Sequence, residues 1–431
     1  MIHPDLLKFA PKPAPLVNGN SWNVFLSYRS INRAWVLNLY DILIELGHKV
    51  FLDQYVIKPG DILIEKLEDA LEKSQAGILI WSNEARDSNW VKKEYFVLEK
   101  KATKEHDFYF VPVRVNHVSL PLFADNRIFV DFTAYPDGPN GGDLIRLLHA
   151  IVGLPLSPEA IKFSNDLDEY SEMAFAQVNA SIRNGRWERL LELLQQGGLP
   201  WETSAALGCK TANGLISLKK YTEAIHVLEE LERKFPKSLR PKQLKALALA
   251  RRGIAKDIED AQEILGVLND LNHLDPESLG IYARTWMDRY IISNDINDLK
   301  QSRKLYAEAF EKTPDDSYTG INAAAKSLLI GTDSDVAKAY EYADKVQKIV
   351  GTSPIPNDYW KTATVAEVML IKKQYREAGE MYGEAILIEP KSFGSHESTK
   401  KQAIKLLEKL ETNDNEKMMV LEAFKHLDNL K

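Results

Sequence analysis

Two hydrophobic periodicities divide the chain. Between residues 22 and 132, short apolar runs alternate with amphipathic stretches. The runs are WNVFLSY at 22–28, HKVFL at 48–52, AGILIW at 76–81, FYFVPVRV at 108–115 and RIFVDF at 127–132. Each reads as a strand, the third with the length and composition of one buried on both faces and the fourth with Pro112 as an irregularity. Helical patterns fill the intervals at 31–46, 62–73, from about Trp90 onward and at 143–152. Gly47 is placed to stop the first in a left-handed conformation. Asn140-Gly141-Gly142 precedes the last. Strands alternating with helices at this spacing predict a five-stranded parallel sheet covered on both faces. After Pro155 the strand signals vanish and helical periodicity runs to the end.

The third helix of the first region carries an anomaly. Ser82 to Asn89 reads as a polar turn, with Ser88 and Asn89 as N-cap candidates. At about 100° per residue, Trp90, Val91, Tyr95, Val97, Leu98 and Ala102 share one side. Glu94 falls inside that apolar sector, whereas Lys92, Lys93, Glu99 and Lys100 fall elsewhere. A carboxylate directed inward needs a partner, because burying an unpaired charge is costly. Two readings stand on the pattern alone: a structural salt bridge, or a carboxylate facing a cleft at the carboxyl end of the sheet, where open α/β folds bind ligands.

The 431 residues imply two or three domains, and 27% charged residues with a net charge of −7 fit an ordinary water-facing protein. No strongly basic segment is present, so nucleic acid is not an expected partner. One cysteine, Cys209, excludes an intrachain disulfide framework and a cysteine zinc cluster, and Ala206-Leu207-Gly208 beside it suggests a packed thiol. No run approaches the ~20 apolar residues that span a bilayer, and residues 1–20 lack the pattern of a secretory signal, so no membrane partner and a cytoplasmic location are expected. Four prolines in 1–20 predict an extended leader, with Leu6, Leu7 and Phe9 free to dock on a neighbouring surface. The nine histidines are scattered, and phosphate loops, zinc helices and calcium loops are absent, so no metal site is expected.

An internal repeat marks the second region. Lys220-Tyr221-x-x-Ala224 is followed by Leu228, Leu231 and Pro236; Gln374-Tyr375-x-x-Ala378 is followed by Tyr382, Ala385 and Pro390. Leu299, Ser302, Tyr306, Ala309 and Pro314 form a weaker copy, Trp187 stands one period before Tyr221, and fainter copies centre near Ala261 and Ala339. These resemble tetratricopeptide repeats, whose helix pairs bury their faces only by stacking into a solenoid. GIYARTWMDRY and SYTGINAAAKSLL also resemble the TRAF-binding repeat region of apoptosis signal-regulating kinases. The resemblance implies a surface for contacts without naming the contact.

Three motifs in residues 21–152 resemble the Toll/interleukin-1 receptor (TIR) domain of the NAD-cleaving type: VFLSYRS at the first strand, VFLDQYVIKPGD at the second, and Ser82 followed by SNWVKKE. Asn23, in place of an aspartate, and the large Trp81 depart from the family pattern. The resemblance implies a flavodoxin-like α/β domain at 21–152 after a leader at 1–20, a linker at 153–165, and an all-α tetratricopeptide-like solenoid at 166–431. It implies that Glu94 is the catalytic residue of an NAD+ nucleosidase, with NAD as substrate rather than cofactor. Tyr28, Arg29, Asp53, Lys58, Gly60, Ser82 and Trp90 would shape the substrate site. It further implies a homo-oligomer formed through TIR domains, with a trigger of unknown identity acting on the repeats, in antiviral or cell-death immunity. The alternative is a non-catalytic TIR signalling scaffold.

Overall fold

The computed structural model describes residues 3–17, 19–29, 32–52, 63–87, 89–119, 129–236, 238–254, 256–270 and 276–430. They form two compact units. The first comprises the chain up to Ala180 together with Glu188–Ala212 and His226–Leu244; the second comprises Ser181–Trp187, Asn213–Ile225 and the chain from Lys245 onward.

The first unit is built on a five-stranded sheet of β1 (Trp22–Ser27), β2 (Val50–Phe51), β3 (Ser74–Trp81), β4 (Tyr109–Arg114) and β5 (Val130–Asp131). The order is β2-β1-β3-β4-β5 and every pairing is parallel. Strand side chains alternate between faces. Phe25, Leu79 and Trp81 enter one core with Val91, Tyr95, Leu98 and Phe110, while Val24, Leu26, Ile78 and Ile80 are buried on the opposite side. All five expected strands are therefore present, and the apolar runs reflect burial on both faces.

The helices around the sheet are α1 (Pro4–Phe9), α2 (Arg33–Glu45), α3 (Leu63–Glu72), α4 (Asn83–Asp87), α5 (Asn89–Lys104) and α6 (Gly142–Ala150). Gly47 takes φ +92° just beyond α2, as the stop signal required. Three local expectations are revised. The polar stretch after Ser82 holds the short helix α4. Val97 is 45% exposed and Phe96 beside it 59%, so the buried stripe of α5 is the narrower set Val91, Tyr95 and Leu98. The leader is not extended throughout: α1 buries Leu6 fully, and Phe9 stacks on Phe163 at 4.7 Å.

Beyond α1 the leader is tied to the sheet. Asn23 Nδ2 donates to Ala14 O at 2.8 Å and to Gln75 Oε1 at 2.9 Å, while Gln75 Nε2 donates to Pro15 O. Asn23 Oδ1 accepts from Lys49 N on the other side. An aspartate at this position has no donor for the Ala14 carbonyl, which gives the departure from the family residue a local reason. The segment expected as a linker runs into helix α7 (Pro158–Arg183), where Ser164 Oγ donates to Gly142 O and Arg146 bridges Asp143 and Asp168. The Cys209 thiol is buried, and burial pushes its pKa up to about 12, the mark of a packed rather than a nucleophilic thiol.

The chain then continues as helices α8 (Trp187–Gln196), α9 (Leu199–Thr203), α10 (Ala206–Ser217), α11 (Tyr221–Lys234), α12 (Arg240–Arg252), α13 (Asp257–Asp270), α14 (Pro276–Ser293), α15 (Ile296–Lys312), α16 (Ser317–Ile330), α17 (Asp333–Val350), α18 (Tyr359–Ile371), α19 (Tyr375–Ile388), α20 (Phe393–Lys409) and α21 (Asp414–Leu421). The repeated small residues sit where helices must approach: Ala224, Ala261, Ser302, Ala309, Ala339 and Ala378 are all fully buried. In the second unit α14 packs on α15, α16 on α17, and α18 on α19, the pairwise stacking of a repeat array. Among the described residues, no helix is long and apolar enough to cross a membrane.

His48, which opens the second apolar run, is buried at 3% exposure, and neither ring nitrogen has a hydrogen-bond partner among the described residues. Burial pulls its pKa down from 6.5 to about 4. The folded state therefore binds fewer protons than the unfolded one between these values. The associated stability is complete above pH 6.5 and is lost as the pH falls toward 4. A His48→Leu variant is expected to lose about 3 kcal/mol less than the parent over that window, measured by urea denaturation at successive pH values.

Candidate active site

Strand order reverses between β1 and β3, because the chain leaves β1 for β2 on one side and returns to β3 on the other. At such a reversal the loops after the two strands diverge and leave a crevice at the carboxyl ends. β1 ends at Ser27 and β3 at Trp81, and α5 starts after the short helix α4 that follows β3. Sequence order and topology thus bring Ser27, Ser82 and α5 to one edge of the sheet.

Glu94 occupies this edge. It is half-buried, and its Oε2 accepts a hydrogen bond of 2.7 Å from Ser27 Oγ. Val91, Tyr95 and Leu98 on the same helix are buried against the sheet, which fixes the rotation that turns Glu94 toward β1. The approach of helix to sheet is set by Gly77. A Cβ at that position would lie 2.2 Å from Leu98 Cδ2 and 3.1 Å from the Phe108 ring. Leu98 is one helical turn beyond Glu94, so the space left by Gly77 lets the carboxylate come within reach of Ser27.

Ser82 is fully buried and acts as a local brace. Its Oγ donates to Asn32 Oδ1 at 2.9 Å and accepts from Ala85 N at 3.1 Å. Asn32 is the N-cap of α2, and its backbone N–H donates to Arg29 O. The segment after β1 is therefore tied to the segment after β3. Tyr28 and Arg29 are half-buried within it, and the Arg33 guanidinium lies 5.7 Å from the Tyr28 ring centroid. Among the described residues, this edge combines the Glu94 carboxylate, held by a hydroxyl donor, with the guanidinium groups of Arg29 and Arg33 on the adjoining turn and helix.

The structure thus brings together Glu94, Ser82, Tyr28 and Arg29 of the expected set. Trp90 lies in the first turn of α5, with its side chain outside the description. Asp53, Lys58 and Gly60 lie outside the described residues. Sequence reasoning did not single out Ser27 or Asn32. Ser27 stood within the VFLSYRS motif, and the only signal for Asn32 was the preference of asparagine for helix N-caps. Trp81, flagged as oversized, is accommodated because its Nε1 donates to Ser119 O at 2.9 Å.

Residues 24–145 match the TIR domain family, and residues 220–329 match the family described as Tetratricopeptide Repeats-Sensor. The Probable 2' cyclic ADP-D-ribose synthase TcpB of Brucella melitensis biotype 1 is 34% identical over 74 residues, 17% of this chain and 30% of that protein. The protein of the same description from Brucella abortus matches to the same extent, 34% over 74 residues and 30% of its length. The chain thus spans about three tenths of the length of these curated relatives. Among solved structures, the TIR domain of the Toll-related receptor TRR-2 from Hydra magnipapillata is 23% identical, covering 26% of this chain and 86% of that one with a TM-score of 0.23. TTC0263, a thermophilic TPR protein of Thermus thermophilus, is 15% identical, covering 48% of this chain and 98% of that one with a TM-score of 0.36.

The Gly77 contact yields a test of this geometry. A Gly77→Ala substitution places a Cβ against the buried Leu98 side chain, which is expected to push α5 outward, and overpacking of this kind costs about 1–3 kcal/mol. The variant is expected to unfold at lower denaturant and to lose the Ser27–Glu94 contact in a crystal structure. An unchanged midpoint and an intact contact would contradict the role assigned to Gly77.

Proposed function

We propose that this chain, which carries a TIR domain followed by a tetratricopeptide-repeat sensor region, cleaves NAD at the bond between nicotinamide and ribose, with Glu94 as the catalytic carboxylate. The observation that carries the reading is the Ser27–Glu94 hydrogen bond at the carboxyl edge of the sheet, where the topology opens a crevice. The similarity to proteins described as 2' cyclic ADP-D-ribose synthases supports the same substrate class.

The chemistry asks little of the protein beyond charge placement. In NAD the nicotinamide ring is cationic. When the ribose C1'–N bond breaks, the electron pair goes to the ring nitrogen and nicotinamide leaves neutral, so no general acid is needed. The ribose is left as an oxocarbenium-like cation, as in other glycoside cleavages. A preorganised carboxylate beside it stabilises the developing charge without solvent reorganisation. The Ser27 hydroxyl holds one oxygen of Glu94 and limits its rotation. Arg29 and Arg33 lie on the segment that follows β1, suited to the anionic diphosphate. Attack by water at C1' gives ADP-ribose, with the water proton released to solvent. Attack by a hydroxyl of the same molecule gives a cyclic form.

Self-association of TIR domains supplies the control in this reading, under regulation by the repeat region, in a cytoplasmic protein of antiviral or cell-death immunity. Phe96 and Val97 support it, because both stand exposed on the outward face of the helix that carries Glu94. An exposed apolar pair on an active-site helix favours association with another surface.

Nicotinamide release by the purified full chain, measured over a protein concentration series, tests the proposal. Turnover per molecule is expected to rise steeply with concentration, to flatten in Phe96→Glu, and to fall about a thousandfold in Glu94→Ala. Chromatography of the products separates hydrolysis from cyclisation. Turnover that survives Glu94→Ala would overturn the catalytic assignment. Absence of turnover at every concentration would favour the non-catalytic scaffold.

A further inference from the structure

One segment of the second unit is held by few anchors. Beyond α21 the chain forms a 3-10 helix, Glu422–Leu430. Its nine residues exceed the roughly three or four usual for this geometry, whose backbone hydrogen bonds are poorer than those of an α-helix. The segment therefore depends on its side chains for its place. It packs against α19, α20 and α21. α21 is itself firmly seated: a Cβ at Gly379 of α19 would lie 2.0 Å from Met419 O, and a capping box of Asn413 and Glu416 fixes its start.

Three anchors hold the 3-10 helix. Phe424 is fully buried, its ring 5.2 Å from that of Tyr382 on α19, and Ala423 and Leu427 pack on the same core. Lys400 Nζ of α20 meets Asp428 Oδ1 at 2.8 Å, an exposed pair of the kind that contributes little. The third anchor is a pair of histidines. His396 of α20 is fully buried, and its Nδ1 lies 2.9 Å from Nε2 of the half-buried His426. The Tyr359 ring of α18 stands 5.3 Å from that of His396 and the Phe393 ring 6.3 Å, so His396 is packed between aromatic neighbours.

A bond between two imidazoles needs one N–H and one lone pair. The pair tolerates one added proton, on His426, whose Nε2–H still donates. A second, on His396, removes the acceptor and sets two like charges across 2.9 Å in a buried site. The charged groups on the surrounding elements are engaged elsewhere. On α20, Glu397 pairs with Lys219 and Lys401, and Lys400 with Asp428. After α19, the Glu389 side chain engages Ser392. On the 3-10 helix Lys425 pairs with Glu422, and on α21 Glu416 serves the capping box. From α18, Tyr359 bonds to Thr399 through its hydroxyl. Burial, and then the facing His426, pull the His396 pKa down from 6.5 to about 4, against the Glu389 backbone.

We propose that the His396–His426 pair is a pH-operated latch, which holds the 3-10 helix against α19 and α20 at neutral pH and releases it on acidification. The sign follows from proton counts. At pH 5 the free segment leaves His396 protonated, whereas the docked segment does not, so the docked form is complete above pH 6.5 and weakens as the pH falls toward 4. Release withdraws Phe424 from Tyr382 and uncovers the core that they share. The inference rests on the second unit alone and is independent of the role of Glu94.

The test is hydrogen exchange of the full chain at pH 8, 6.5 and 5, read by mass spectrometry as protection factors corrected for the intrinsic rate at each pH. Protection within 422–430 is expected to fall about thirtyfold from pH 8 to pH 5, while that of α18, α19 and α21 changes far less. His396→Gln keeps an acceptor for His426 without titrating, and His396→Phe keeps the ring volume; either is expected to flatten the pH dependence. His426→Ala is expected to lower protection about fivefold already at pH 8, the loss of one hydrogen bond. Asp428→Asn is expected to leave the pH dependence in place, which separates the histidine pair from the exposed ion pair. Protection that is absent at pH 8, that is equal at pH 8 and 5, that falls to the same extent in both His396 variants, or whose pH dependence disappears in Asp428→Asn would each overturn the proposal.

Discussion

The geometry of the candidate site depends on how closely one helix approaches one strand. Gly77 in β3 offers no side chain to Leu98, and α5 settles onto the sheet at a distance where an added Cβ would displace the Leu98 side chain. That distance decides whether Glu94 reaches Ser27. An inward-facing carboxylate is unfavourable in a helix stripe otherwise made of Val91, Tyr95 and Leu98, and the Ser27 hydroxyl offsets part of the cost. The same sheet order puts Ser27 at the strand-order reversal, where open α/β folds take their ligands. Packing, polar satisfaction and access are consequences of a single close contact.

The two units solve the problem of buried charge differently. In the first, the Glu94 carboxylate is brought to the rim and given a hydroxyl donor. In the second, the amide of Gln402 links the buried cation Lys326 to the buried carboxylate Glu367, each from a different helix. A network left partly satisfied in a low-dielectric interior is costlier than an apolar core.

The sheet and its strand boundaries were legible because strands buried on both faces leave continuous apolar runs, such as Ile78 to Trp81. The repeat helices were legible through Ala224 and Ala378, small residues whose burial follows from helix-to-helix approach. Glu94 stood out because it broke an apolar stripe. Its partner did not, since a serine at the end of a strand has many roles and only the parallel register with β3 brings it beneath α5. The wheel placed Val97 inward with the rest, but α5 contacts the sheet along a stripe too narrow to include it. Nor did periodicity reveal the short helix after Ser82, which is a single turn braced by the Ser82 hydroxyl. The Lys326–Gln402–Glu367 link of the second unit was invisible for a further reason: its members lie up to 76 positions apart, and only the packing of their helices brings them together.

The central claim is that Ser27 holds Glu94 in position for chemistry on the ribose. The most direct measurement is steady-state nicotinamide release by Ser27→Ala, with kcat and KM determined separately and Tm recorded in parallel. A positioning hydroxyl predicts a fall in kcat of about tenfold, roughly 1.4 kcal/mol in the barrier, with KM and Tm close to those of the parent. A variant with unchanged kcat, or one that loses activity only through KM or through stability, would contradict it.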